Sequence, residues 1–143
     1  MPHVYISAVI PAALTKVWPI IRDFNALPEW HPAIAISQIE DGLSASQVGC
    51  VRHFELQDGG VIREQLLALS DMRHRCSYSI LESPLGVENY KATLQLTRVT
   101  ESDACFAEWW ADFDCAPDRE AELVDLIGRD VFAAGFAALT ARV

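Results

Sequence analysis

Two oppositely charged residues, Arg52 and Glu64, stand in runs that otherwise place apolar side chains at their positions. Along residues 51–57, Arg52, Phe54 and Leu56 alternate with Val51, His53 and Glu55; from residue 61 on, Ile62, Glu64 and Leu66 alternate with Val61, Arg63 and Gln65. Successive side chains of a strand point to opposite faces, so both charges share the apolar parity of their strands. Opposite charges facing an apolar interior are costly unless paired or wet. One reading is the polar end of a pocket, with Arg52 binding a carboxylate, phenolate or enolate oxygen and Glu64 orienting it. The other is a structural ion pair across two strands, or a pair turned to solvent, because alternation fixes faces but not register. General acid or base work by Glu64 needs a carboxyl pKa near neutrality, and a close Arg52 would hold it ionised.

Tyr78 and Tyr90 are the other polar candidates. A phenol suits a half-apolar pocket, where its hydroxyl meets a ligand oxygen, a water or a backbone group. Glu64, Tyr78 and Tyr90 are thus the three side chains that could take part in catalysis. His31, in Glu29-Trp30-His31-Pro32, could titrate at a pocket mouth or bond to backbone, while His53 falls on the outer parity and His74 in a turn beside Arg73 and Arg75. No pair of histidines has helical metal-ligand spacing and no Cys/His cluster has zinc spacing, so no metal and no cofactor is predicted. A nucleophile elbow is missing, and Cys50, Cys76, Cys105 and Cys115 lack a histidine partner, so the thiols read as small buried hydrophobes of a reducing compartment.

The chain has 143 residues, enough for one domain, 1–143, that buries a core without staples. Twenty acidic side chains against 11 basic ones give a formal net charge of −9, a surface that repels phosphate backbones and anionic lipid. Nucleic acid is therefore excluded as a partner. No apolar run approaches a membrane span, and the start lacks signal-peptide features, so the expectation is a cytoplasmic protein without membrane insertion.

Turn signals at Asp41-Gly42, Asp58-Gly59-Gly60, Ser83-Pro84-Leu85-Gly86, Ser102-Asp103 and Ala116-Pro117-Asp118 divide the chain. Between them the patterning predicts strands over 3–10, 33–40, 51–57, 61–69, 74–81, 87–100 and 104–115. A helical pattern over 12–24 contains Pro19, which should kink or split it. A long helix over 118–142 carries Leu123, Ile127, Val131, Gly135 and Leu139 at every fourth residue, widened by Val124, Phe132 and Phe136; its Asp118, Glu120, Glu122 and Asp125 read as a solvated face. The last strand should turn Cys105, Ala107, Trp109, Ala111, Phe113 and Cys115 inward, toward this helix. Small residues there, facing Gly135, leave room for a cavity unless Trp109, Tyr78 and Tyr90 fill it. Phe106 and Trp110 fall on the outer face, where a homodimer contact is an alternative.

The blocks Val17-Trp18, Asp23-Phe24 and Leu27-Pro28-Glu29-Trp30-His31-Pro32 resemble the first helices of the START-like superfamily of polyketide cyclase/dehydrase type. Birch-pollen allergens and abscisic-acid receptors share its fold. The likeness runs on through Gly59-Gly60-Val61-Ile62-Arg63-Glu64, Arg75-Cys76-Ser77-Tyr78, Glu82-Ser83-Pro84-Leu85 and Glu88-Asn89-Tyr90, to Gly135-Phe136-Ala137-Ala138-Leu139. It implies an α+β helix-grip fold: a strongly bent, seven-stranded antiparallel sheet wrapped around the C-terminal helix, with two short helices after the first strand. It also implies an internal pocket for an apolar small molecule, lined by Arg52, Phe54, Leu56, Ile62, Glu64, Leu66 and Tyr78, and by Ile80, Leu85, Tyr90, Trp109, Ile127, Val131 and Gly135. The entrance would lie between the 58–60 turn, the 83–86 turn and the start of the last helix. Ala35 stands where the hormone receptors carry their carboxylate-anchoring lysine, which argues against that ligand. Binding of a polyketide-, aromatic-acid- or lipid-like molecule is the leading expectation. A cyclase or dehydratase using Arg52, Glu64, Tyr78 and Tyr90 is the alternative, and a regulatory or assembly module with a vestigial pocket is the second.

Overall fold

The computed structural model describes residues 1–143. Seven strands form one antiparallel sheet: β1 (His3–Ile10), β2 (Ile34–Ile39), β3 (Val51–Leu56), β4 (Val61–Ser70), β5 (Arg75–Glu82), β6 (Glu88–Val99) and β7 (Ala104–Asp114). The spatial order is β1-β7-β6-β5-β4-β3-β2, so five hairpin steps in succession lead from β2 to β7, and β1 closes on the last strand. Two short helices, α1 (Leu14–Arg22) and α2 (Leu27–Trp30), follow β1. This is the helix-grip arrangement expected from the sequence. No helix is long and apolar enough to cross a membrane.

The inward faces follow the alternation. Cys105, Ala107, Trp109, Ala111 and Phe113 of β7 are all buried, and Cys115 just beyond is half-buried. All four thiols are free. On the opposite face of the sheet Trp110 is covered by Tyr5, stacked at 6.4 Å between centroids, and by the Arg75 guanidinium at 6.0 Å. Bulges interrupt the ladder at Ile34/Ile36, at Arg63/Glu64, at Leu66/Ala68 and at Glu88/Lys91. Each adds local twist, which is how a sheet of this width bends around a helix.

Pro19 does not break its helix. α1 runs unbroken from Leu14 to Arg22 with Pro19 inside it. The ring is on the exposed side, where water can bond the carbonyl left without a donor. α1 is also tied to the β4–β5 turn, because Trp18 Nε1 and Arg22 Nε both donate to Asp71, at 2.8 and 2.7 Å.

The C-terminal rod is not one α-helix. A 3-10 turn (Pro117–Arg119) leads into α3 (Glu120–Leu126), then a π-helical segment (Ile127–Ala133), then α4 (Ala134–Arg142). The reason is visible in the burial pattern. A strict four-residue repeat drifts by ~40° per step around a 3.6-residue helix. The fully buried positions are instead Leu123, Ile127, Phe132, Phe136 and Leu139, and the five-residue step from Ile127 to Phe132 falls inside the π segment. One wider turn thus re-aims the apolar stripe at the sheet, leaving Val131 only half-buried.

One glycine lets this rod approach closely. A Cβ on Gly135 would lie 2.9 Å from the Trp109 ring, 3.1 Å from His31 and 3.2 Å from Trp30, whereas one on Gly128 would make only ordinary contact with Val4 at 3.4 Å. Gly135→Ala therefore costs about 1–3 kcal/mol through overpacking, which outweighs the about 1 kcal/mol that alanine gains over glycine inside a helix. Urea denaturation should show this loss, whereas a gain in stability would mean that α4 stands off from the tryptophans.

Candidate functional site

β3 and β4 set the polar end of the interior. Their register places Arg52 directly opposite Glu64, so the question that alternation leaves open is settled: the two face inward as a pair. Both are 6% exposed. Arg52 Nε donates to Glu64 Oε1 at 2.8 Å, and Nη2 lies 2.7 Å from the same oxygen. Nη1 donates to the Phe24 carbonyl at 3.0 Å. The guanidinium plane is also enclosed by aromatic rings, with its carbon 3.9 Å from the Phe24 centroid, 4.9 Å from Tyr78 and 5.7 Å from Phe54. Such cation–π contacts strengthen where water is excluded.

Arg52 is therefore largely occupied by the protein itself. Glu64 is not. Its Oε2 takes no hydrogen bond from the chain, yet no fully buried side-chain nitrogen or oxygen lacks a partner, so this oxygen reaches open space. Burial pushes the Glu64 carboxyl above the usual range, with the Arg52 charge acting against that rise.

That space is a cavity of about 70 Å³ lined by 16 residues, 13 of them hydrophobic. The structure brings Arg52, Phe54 and Leu56 of β3, Ile62 and Glu64 of β4, and Tyr78 and Ile80 of β5 to its wall. Leu85 of the β5–β6 turn, Tyr90, Trp109, Ile127 and Val131 complete the expected set. Two expected residues are elsewhere. Leu66 lies one pleat beyond Glu64, where the cavity has ended, and packs in the core at 1% exposure. The room beside Gly135 is taken by the Trp109, Trp30 and His31 rings, so this glycine serves close packing and leaves no void. Ala35 is exposed on β2, outside the cavity.

Four lining residues escaped the strand-parity argument: Leu27 of α2, His31 and Ala33 of the loop that follows, and Ile34 at the start of β2. His31 is buried and uses both ring nitrogens. Nδ1 accepts from the Ala33 N–H at 3.2 Å, so Nε2 carries the proton and donates to the Val131 carbonyl at 2.7 Å. Burial lowers its pKa; the Val131 bond acts the other way and the Arg52 charge lowers it further, so the imidazole is neutral. The histidine thus ties the α2–β2 loop to the π segment, the backbone-bonded alternative of the two weighed from sequence. His53 is on the outer face, 3.5 Å from Glu40, and His74 packs edge-on against Trp18.

The aromatics occupy most of the expected pocket. Trp109 stacks on Phe132 with centroids 4.5 Å apart, and its Nε1 donates to the Tyr78 hydroxyl at 3.1 Å. Tyr90 stacks on Phe113 at 5.8 Å. Burial pushes both phenols up, so Tyr78 and Tyr90 remain neutral hydroxyls across the physiological range. The elements around the expected entrance lie close together. A Cβ on Gly60 would lie 3.3 Å from Pro84, which sets the β3–β4 turn beside the β5–β6 turn. Arg119, before α3, donates from Nη1 to the Leu85 carbonyl at 2.7 Å.

Comparison with known proteins places this architecture. The family model described as polyketide cyclase / dehydrase and lipid transport matches residues 1–143. The protein XoxI from Bacillus cereus superposes with a TM-score of 0.89 at 32% identity, over 99% of this chain and 95% of that one. A Thermobifida fusca protein solved in solution gives 0.88 at 30%, over 99% and 93%. Norcoclaurine synthase from Thalictrum flavum, in complex with dopamine and hydroxybenzaldehyde, gives 0.76 at 17%, over 98% and 84%, a likeness of fold.

Removing one partner of a buried pair strands the other charge. Glu64→Leu alone costs about 3–5 kcal/mol. Arg52→Met/Glu64→Leu recovers most of that, short by the about 1–3 kcal/mol of a Phe24 carbonyl left without a donor. Chemical denaturation of the three proteins reads both effects, and a single variant within about 1 kcal/mol of the parent would place the pair in solvent.

Proposed function

The chain belongs to the polyketide cyclase / dehydrase and lipid transport family, and from that premise we propose that it binds a small hydrophobic or aromatic molecule between the sheet and the C-terminal rod. The observation that carries this reading is the cavity itself: an apolar enclosure that ends on a buried Arg52–Glu64 pair with one carboxylate oxygen free. Well-packed apolar residues would be as stable in place of such a pair. Its presence beside a void is better explained by a guest than by stability.

Size narrows the guest. The cavity is about 70 Å³, smaller than the ~150 Å³ cavity that admits benzene in an engineered protein and well below the ~300 Å³ at which drug-sized pockets begin. A single ring fits with a modest outward shift of its wall. A polyketide or lipid chain requires the Leu85 turn to part from Arg119 and from Gly60. The four free thiols fit a cytoplasmic setting.

A second reading, proton transfer of the cyclase or dehydratase type, is favoured by one observation. Glu64 is a buried carboxyl with a raised pKa and a free oxygen facing the cavity, and Tyr78 and Tyr90 are hydroxyls on the same wall. Glu64 would take the proton while a phenol donates to the developing oxyanion.

Titration with toluene, followed by NMR of the side-chain methyl groups, tests the binding reading. Shifts should be confined to groups that line the cavity, the methyls of Leu85, Ile127, Val131 and Ile62 and the Trp109 indole among them, and Leu85→Ala should tighten binding by widening the cavity. No shift of these groups at saturating toluene would favour a module with a vestigial pocket and overturn the proposal.

A further inference from the structure

Resting on the binding reading above, we propose that the ligand is electrically neutral and presents a hydroxyl to Glu64, as a phenol or alcohol does, and that carboxylates are excluded. Three observations converge on this class. Each guanidinium nitrogen of Arg52 already has a partner, Glu64 Oε1 or the Phe24 carbonyl, and its faces are covered by Phe24, Tyr78 and Phe54. An anionic ligand would have to share or take the guanidinium from Glu64 and would face that buried carboxylate with one cation between the two negative charges. Such an exchange leaves one buried charge under-compensated for each that it satisfies.

The free group on the cavity wall is Glu64 Oε2, an acceptor. A guest must bring a hydrogen to it, and a hydrogen bond to a charged acceptor is worth more than one between neutral groups. Tyr78 and Tyr90, whose hydroxyls interact with one another, line the same cavity and can complete the other half of a guest hydroxyl, which both gives and takes.

Charge balance removes the cationic alternative. Arg52 and Glu64 neutralise one another, and no other charged side chain lines the cavity; His31, the remaining titratable nitrogen base on the wall, is neutral. An ammonium placed at Oε2 would carry an uncompensated positive charge into an apolar enclosure beside the Arg52 guanidinium. Neutral donors escape both penalties.

Four guests of one shape separate the possibilities: p-cresol, toluene, p-toluate and 4-methylbenzylammonium, titrated at pH 7 into the protein by NMR. The expected order is p-cresol first, about ten-fold or more tighter than toluene, with both ions weaker than toluene. In Arg52→Met/Glu64→Leu the advantage of p-cresol over toluene should vanish while toluene still binds. p-Toluate or the ammonium binding as tightly as p-cresol would overturn the neutral-donor assignment and leave the binding reading standing, as would equal affinity of p-cresol and toluene in the parent. Failure of every guest to reach the interior would defeat the binding reading, and this assignment with it. The order among guests in the parent protein decides the matter even if the double variant does not fold.

Discussion

The contact between Trp109 and Phe132 holds this molecule in register with itself. One ring comes from the last strand, the other from the π segment of the C-terminal rod, and they stack at 4.5 Å with planes 15° apart. Phe136 at 5.8 Å and Trp30 at 6.0 Å lean on the same indole, and His31 meets it edge-on at 6.5 Å. Strand, rod and α2 are thus referred to one side chain. Buried aromatics bring both a large apolar area and a preferred geometry, so the gap between sheet and rod is set by ring thickness rather than by chance. Gly135 is what allows the approach, and the π turn is what brings Phe132 round to meet it.

The same arrangement decides how much empty space survives. On one side of Trp109 the rings interlock. On the other, Ile127, Val131 and Leu85 face Phe54 and Ile62 across a gap that their side chains do not fill. Arg52 and Glu64 close that gap at its far end with a pair that is neutral as a whole. A charge-neutral boundary with one spare acceptor is a different chemical environment from an open arginine. It favours recognition by shape and by a single hydrogen bond. The tie from His31 to the Val131 carbonyl and the tie from Arg119 to the Leu85 carbonyl both fasten cavity walls through backbone oxygens.

Much of this was legible in the residues alone. Alternation along 51–57, from 61 and along 104–115 identified the inward faces, because a strand's period is fixed by its backbone and leaves little to context. Pairing of Arg52 with Glu64 was only half legible: parity put them on one face, but the register that sets them opposite each other depends on where the Asp58–Gly60 turn places the strands. The π segment was hidden in plain view, since a four-residue apolar repeat cannot stay on one face of an α-helix. Gly135 was misread for a physical reason. A missing side chain leaves a hole only if no neighbour is large enough to enter it, and two tryptophans are. Leu27, His31, Ala33 and Ile34 gave no periodic signal because they belong to a four-residue helix, the loop after it and an irregular strand start, where neither period applies. A histidine beside a loop proline carries no mark of the carbonyl it will find a hundred residues later.

The aromatic clamp leaves a cavity between Trp109 and the buried ion pair. Diffraction from crystals held under xenon pressure is the most direct probe of that space. A xenon atom should lie inside the fold, in contact with Trp109, Ile127 and Leu85, and displaced from Glu64 toward the apolar wall. Xenon found only in surface grooves, with the interior unoccupied at every pressure, would show that the clamp leaves no such space.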